Sequence, residues 1–131
     1  MGVCRSLWNW ITLSGQNLIG LGTNLKFYIE QGGNFNDITP IRSTVTLGAN
    51  PFTGNGTTTV TVTSTSHGCV TGDYVTFSGS TTALFNAEYQ VTVLSINTYT
   101  ITTASTVAAG TYGGSAVVAA YQLNTGPAYT I

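Results

Sequence analysis

Between Thr57 and Thr103, apolar and small polar residues alternate with a period of two in four separate runs. Val60 and Val62 share one parity against Thr59, Thr61 and Thr63, Val75 goes with Phe77, Tyr89 with Val91 and Val93, and Tyr99 with Ile101. Successive side chains of a strand point to opposite faces, so each run predicts a half-buried β-strand. The predicted core is the apolar parity: Val60, Val62, Phe77, Tyr89, Val91, Tyr99 and Ile101. The runs are separated by SHG and TGD within 66–73, SGS at 78–80 and SINT at 95–98, all of which accept turn geometry. Short strands recurring about every ten residues, with no helical crossover between them, predict an all-β fold: a small antiparallel β-barrel or sandwich.

The same test extends to both sides. Strands are predicted at about 7–13, 17–21 and 25–31, with Trp8 and Trp10 sharing one parity and Leu25, Phe27 and Ile29 another, and QGGN at 31–34 turning the chain back through Phe35. Ser43–Leu47 predicts a further strand with Val45 and Leu47 inward. The Gly-, Asn- and Pro-containing stretch 48–56 predicts a loop, because Pro51 cannot donate to a ladder. Residues 104–115 predict a long hairpin loop. Residues 116–123 predict a last strand carrying Val117, Ala119, Tyr121 and Leu123 on one face, able to close the barrel against Ser43–Leu47. The expected organisation is an N-terminal β arm at 1–42, the barrel or sandwich at 43–123 and a C-terminal tail at 124–131, with Gly126-Pro127 marking a turn.

Composition adds a statement about surroundings. Only 5% of the residues are charged, against about 25% in ordinary soluble domains, while Thr occupies 25 positions. The exposed faces must then be Thr, Ser, Asn and Gly, a surface suited to a packed assembly or an extracellular particle rather than to free diffusion. Three basic residues, Arg5, Lys26 and Arg42, in a chain of net charge −1 give no electrostatic footprint for DNA or RNA. The most apolar run, SAVVAAY at 115–121, falls far short of the roughly 20 residues of a membrane-crossing helix. Cys4 and Cys69 define neither a disulfide framework nor a metal site and are expected to be free thiols.

Candidate chemistry is sparse. His67 stands beside Cys69 in SHGC, and an imidazole next to a thiol is the minimum for nucleophilic catalysis. Gly68 makes a turn with positive φ the better reading, which leaves His67 structural. Asp73, after Gly72, is expected to bond backbone N–H groups of its turn. Neither Asp73 nor Glu88 has the companion oxygens that a hard cation needs. No phosphate loop, zinc spacing or carboxylate pair occurs. The expectation is a non-enzyme without cofactor or metal. Seven Tyr, five Phe and two Trp among Asn, Gln and Thr also suit a sugar-binding face.

Two stretches carry resemblances. TVTVTSTSHGCVTGDYVTFSGS followed by NAEYQVTVLSINTYTI resembles a module of tail and other virion proteins of tailed bacteriophages, and is similar to the small β-barrel called the FCCH domain in ubiquitin-activating enzymes. Gly22, Thr23, Asn24, Lys26, Phe27 and Tyr28, then Asp37, Ile38, Thr39 and Pro40, resemble the end of a β-propeller blade in phage tail hub proteins. The resemblance implies a structural component of a virion, in the tail or tail hub, acting by self-assembly with copies of itself and with other virion proteins. A blade alone is one sheet with two uncovered faces, so Trp8, Trp10, Leu25, Phe27 and Ile29 are the expected assembly interface. The competing expectation is a secreted or surface carbohydrate-binding β-module, an adhesin or a receptor-binding part of a tail fibre.

Overall fold

A computed structural model describes residues 2–123; the tail at 124–131, with its expected turn, lies outside the described residues. The chain divides into two compact units, the first running to Pro40 and the second beginning at Ile41.

The first unit is a four-stranded antiparallel meander, in the order β1 (Cys4–Ile11), β2 (Asn17–Thr23), β3 (Phe27–Gln31) and β4 (Asn34–Asp37). Gly32 and Gly33, with φ of 59° and 90°, form the two-residue turn between β3 and β4. Two consecutive positive φ values match the twist of a hairpin, and only Gly takes both without steric cost. Thr12 lies past the end of β1 and closes the first turn by donating its N–H to Gln16 O at 2.9 Å. A partly buried clasp holds the β2–β3 end together. Thr23 Oγ1 accepts from Lys26 N (2.8 Å), and Lys26 Nζ reaches Asp37 Oδ2 (2.6 Å). Asp37 Oδ1 accepts from both Thr39 N (2.9 Å) and Thr39 Oγ1 (2.7 Å). Burial works to raise the Asp37 carboxyl, but hydrogen bonds from Lys26 and Thr39 outweigh it and hold the group below its ordinary value.

The second unit is a sandwich of two antiparallel sheets. One runs β10 (Thr92–Ser95), β11 (Thr98–Val107), β7 (Thr57–Thr63), β6 (Phe52–Gly54), β12 (Gly110–Tyr112), and the other β5 (Ile41–Thr46), β13 (Val118–Gln122), β8 (Tyr74–Ser78), β9 (Glu88–Gln90). The barrel does not close: each sheet keeps two edge strands. The predicted parity is the one that faces inward, with Val60, Val62, Phe77, Val91, Tyr99 and Ile101 buried and Tyr89 half-buried against them. Chain ends of the unit meet where β13 pairs with β5, Ala119 opposite Val45.

Four expectations are corrected. Residues 48–56 are not all loop, because Phe52–Gly54 forms β6, an interior strand between β7 and β12. Pro51 precedes that strand, where its missing N–H costs nothing, and its carbonyl accepts from Thr63 N at 2.9 Å. Residues 104–115 are not one long loop: β11 continues to Val107 and β12 follows. The run at 89–93 is two strands in different sheets, since β9 pairs with β8 and β10 with β11. Val91 is the corner between them; its N–H donates to Asp73 O and its carbonyl accepts from Gly72 N, both at 2.9 Å. Finally, Val45 and Leu123 are largely exposed, because Val45 sits on the edge strand and β13 ends at Gln122 with a register shift after Tyr121.

At the centre of the sandwich, Phe52 stacks on Phe85 (centroids 4.1 Å apart, planes 11°) and meets Phe77 edge-on (5.0 Å, 89°). Phe85 arrives on a single 3-10 turn, Ala83–Phe85, and is fully buried.

Candidate functional site

The register of the first sheet decides which side chains share a face. Trp8 is opposite Gly20 and Gly20 opposite Ile29; Trp10 is opposite Leu18; Gly22 is opposite Phe27. Trp8, Trp10, Leu18, Phe27 and Ile29 therefore lie on one side of the meander. The glycines shape that side. A Cβ on Gly20 would stand 3.2 Å from Trp10 Cζ3, and one on Gly22 would stand 3.6 Å from Phe27 Cε1, so each ring reaches over a glycine of the neighbouring strand. Trp8 keeps 72% of its surface in solvent, Trp10 and Phe27 37% each. Asn34 and Asn36 of β4 fall on the same side as Ile29, and no Lys, Arg, Asp or Glu of β2, β3 or β4 does.

Leu25 does not belong to this face. It lies in the β2–β3 turn, half-buried, because β3 begins only at Phe27; the clasp on Thr23 and Lys26 takes up the residues that alternation assigned to a strand. Leu18 takes the place of Leu25, and only the register across β1 and β2 reveals it. Sequence reasoning also missed the reverse side, where Leu7, Ile11 and Phe35 are 65%, 67% and 48% exposed. Period-two alternation signals one buried face, and here both parities are apolar.

The SHGC turn is a structural knot. His67 is buried; its Nδ1 accepts from Cys69 N at 3.0 Å and its Nε2 faces Ser95 O at 2.9 Å. A backbone N–H demands a lone pair on Nδ1 and a carbonyl demands a proton on Nε2, so both ring nitrogens are committed and neither is free to take the thiol proton. Burial pushes the Cys69 thiol up to about 11 in spite of Arg42 nearby, the opposite of an activated nucleophile. Arg42 donates from Nη1 to Gly68 O (2.9 Å) and from Nη2 to His67 O (3.0 Å). Gly68 has φ of 63°, and a Cβ there would stand 2.8 Å from Arg42 Nη1. Beneath the turn His67 meets Tyr99 edge-on at 5.0 Å. Tyr121 donates to Ser64 Oγ (2.7 Å), which leaves Tyr99 to donate to Tyr121 Oη (3.1 Å).

The remaining candidates have equally plain roles. Asp73 Oδ2 accepts from Val70 N at 3.0 Å, the turn bond expected of it. Burial, only partly offset by that bond, raises its carboxyl above the ordinary value. Glu88 is exposed and accepts from Gln122 Nε2 at 2.6 Å. Cys4 and Cys69 are both free. Among the described residues, no group of three or more His, Cys, Asp or Glu is placed to hold a metal ion, and no helix is long and apolar enough to cross a membrane. An open cleft in the second unit is lined by Leu47, Asn50, Thr53, Thr63, Thr65 and Thr111.

The architecture is thus a four-stranded meander and an antiparallel sandwich in one chain, with exposed aromatic rings on one side of the meander. No protein-family model matches the chain, and no curated protein does. Among solved structures, the fold is similar to part of the phage phi92 endosialidase, with a TM-score of 0.57 and 20% identity over 97% of this chain. The matched part amounts to 18% of that protein. At this identity the likeness is one of fold.

Proposed function

We propose that the chain is a structural module of a bacteriophage virion, in the tail or tail hub, that works by packing against copies of itself and other virion proteins. The observation that carries this reading is the exposed aromatic rings Trp8, Trp10 and Phe27 on a side of the first sheet to which β2, β3 and β4 contribute no charge. Burying a fully exposed large apolar side chain gains about 1.5–3 kcal/mol; Trp8 is largely exposed, Trp10 and Phe27 in part, and covering these rings favours association against its ordering costs. A chain with so few charges offers little repulsion against it. The fold it shares with a phage protein over nearly its whole length is consistent with a place in the virion. The reading includes no catalytic step, cofactor, nucleic acid or membrane. Light scattering on the full chain at tens of micromolar tests it. A defined oligomer is expected, dispersed by replacing Trp8 and Trp10 with Ser; a monodisperse wild-type monomer refutes it.

A second reading is favoured by one observation: the exposed Trp8 and Trp10 share their side of the sheet with Asn34 and Asn36, the pairing of aromatic and amide groups that sugars use. The phage protein of similar fold is by name an endosialidase. On this reading the chain is a carbohydrate-binding module on a tail fibre or at a cell surface. Both tryptophans lie in the first unit, so a shift of tryptophan fluorescence on adding millimolar sialosides or neutral oligosaccharides supports it. An unchanged spectrum beside a stable oligomer excludes it.

A further inference from the structure

Packing through a sheet face leaves open how the copies are joined, and the edge of the first sheet answers that. This inference rests on the assembly reading above. Strand β1, Cys4–Ile11, is an edge strand: among the described residues nothing pairs on its outer side. At eight residues, all exposed, it is the longest edge strand among the described residues. The opposite edge of the same sheet, β4, has four residues, and its Asp37 is tied to Lys26. The next longest edge, β5, has six, with Arg42 folded over the SHGC turn. Proteins protect edge strands with Lys, Pro, bulges or shortness. β1 has no Lys or Pro, one charge at Arg5, and a bulge confined to its first residues, between Cys4 and Ser6.

The hydrogen-bond parity fixes which groups are on offer. Thr12 N–H points at Gln16 O across the first turn, so Trp10, Trp8 and Ser6 send their backbone groups to β2, while Leu7, Asn9 and Ile11 send theirs outward. We propose that β1 pairs antiparallel with β1 of a second copy about a two-fold axis at Trp8, joining the two meanders into one continuous eight-stranded sheet. A two-fold axis perpendicular to the sheet keeps each side chain on its own face, so directly opposed residue numbers must sum to an even value. With the axis at Trp8, Leu7 is opposite Asn9 of the second copy and Ser6 opposite Trp10, and Ile11 comes up to the bulge at Arg5. The outward-pointing Leu7 and Asn9 then exchange the hydrogen bonds, and Trp8 meets its own copy in the closer, non-hydrogen-bonded position, where aromatic pairs gain most. Moving the axis to Leu7 carries the bulge at Cys4–Ser6 inward, opposite Asn9, and shortens the regular ladder. With the axis at Trp8 the regular ladder runs from Ser6 to Trp10 in both copies, the bulge falls at its two ends, where it terminates pairing, and Arg5, the only charge on the strand, never faces itself. The occupant is a second copy because the strand is complementary to itself in this register. The result is an uninterrupted row of rings, Trp10, Trp8, Trp8, Trp10, across both subunits.

Two experiments on the full chain test the inference. Asn9→Pro removes an outward N–H and leaves the β2 ladder intact, the one kind of strand position where Pro is tolerated. Halved mass by light scattering with an unchanged circular dichroism spectrum is expected, and an unchanged mass with an intact fold overturns the edge contact while leaving face packing standing. In a Cys4→Ser background, Trp8→Cys places two thiols at a Cα separation of about 4.5 Å across the axis, within disulfide reach. Mild oxidation then yields a covalent dimer. Trp10→Cys, on the same face but offset by four residues, or roughly 13 Å, stays unlinked. Cross-linking at Trp10 equal to that at Trp8, or none at Trp8, refutes the register whatever Asn9→Pro does. A wild-type chain that is monomeric refutes this inference and the assembly reading together.

Discussion

Replacing Phe52 by Ala is the sharpest test of the sandwich core, because nothing in the pattern of the chain marks that residue as central. Its side chain is fully buried, stacked on Phe85 and edge-on to Phe77. Truncating a buried Phe costs about 3–5 kcal/mol. The upper half of that range applies here, since the removed ring sits between two others on different elements and neither can close the gap without leaving its own position. At roughly 0.05–0.15 kcal/mol per residue, a unit the size of Ile41–Asn124 has about 4–12 kcal/mol of stability. The substitution therefore removes between a third and nearly all of it. In urea, with a slope a little above 1 kcal/mol/M, the midpoint falls by about 3 M. The two units report separately: tryptophan fluorescence follows the first, which holds both Trp8 and Trp10, and near-ultraviolet circular dichroism of buried Tyr99 and Tyr121 follows the second. The tyrosine transition is expected to move and the tryptophan transition to stay. A double-mutant cycle with Phe85→Ala should return a coupling of about 0.5–1.5 kcal/mol for the stacked pair. A tyrosine midpoint shifted by less than about 1 kcal/mol equivalent refutes the stacked-ring core.

Val91→Asp buries an unpaired charge at the corner between the two sheets and is expected to abolish the cooperative tyrosine transition, whereas Val91→Thr only lowers its midpoint; a folded Val91→Asp protein refutes the inward placement. Asp37 is held below its ordinary value, so its clasp contributes stability that is present above the unfolded carboxyl pKa, about 3.9, and is lost as pH falls through the folded value. Tryptophan fluorescence should therefore show an acid transition that disappears in Asp37→Asn. The thiol of Cys69, raised to about 11 and buried, should resist alkylation at pH 8 while exposed Cys4 reacts, giving one modified thiol per native chain and two in urea. His67→Ala leaves Cys69 N–H and Ser95 O without their ring partners and should cost roughly 1–3 kcal/mol by thermal melting; an unchanged melt refutes the knot.

Wherever one parity was buried and the other polar over five or more residues, the strand was legible, as in TTTVTVT, YVTFS and TYTITT. Local chemistry was legible too: Gly68 takes the positive φ its turn requires, and Asp73 bonds the backbone of its own turn. What escaped were features with no period to read. Phe52 and Phe85 sit on a three-residue strand and a single 3-10 turn, too short for alternation to register. Val91 keeps the parity of Tyr89 and Val93 although the chain changes sheets there, so an unbroken pattern conceals a corner. Leu25 looked like strand because parity ignores the Thr23–Lys26 hydrogen bonds that tighten the turn. On the candidate surface, the parity within each strand groups Trp8 with Trp10 and Phe27 with Ile29, but it is the register across the strands that brings these pairs and Leu18 to one side.

The pairing of β5 with β13 places Ile41 directly opposite Gln122. The second unit thus enters and leaves its own fold at neighbouring positions on adjacent strands, which makes it topologically a plug. A domain of this kind can be spliced into a surface loop of another protein without stretching the host, or circularly permuted by joining the two positions and opening an exposed turn such as Asn55–Gly56. The same closure sets its birth order during synthesis. β5 and β8 have no hydrogen-bonded neighbour in common until β13 is made and inserts between them. That four-stranded layer stays split until the ribosome has passed Gln122, and its completion waits on a contact spanning nearly the whole unit.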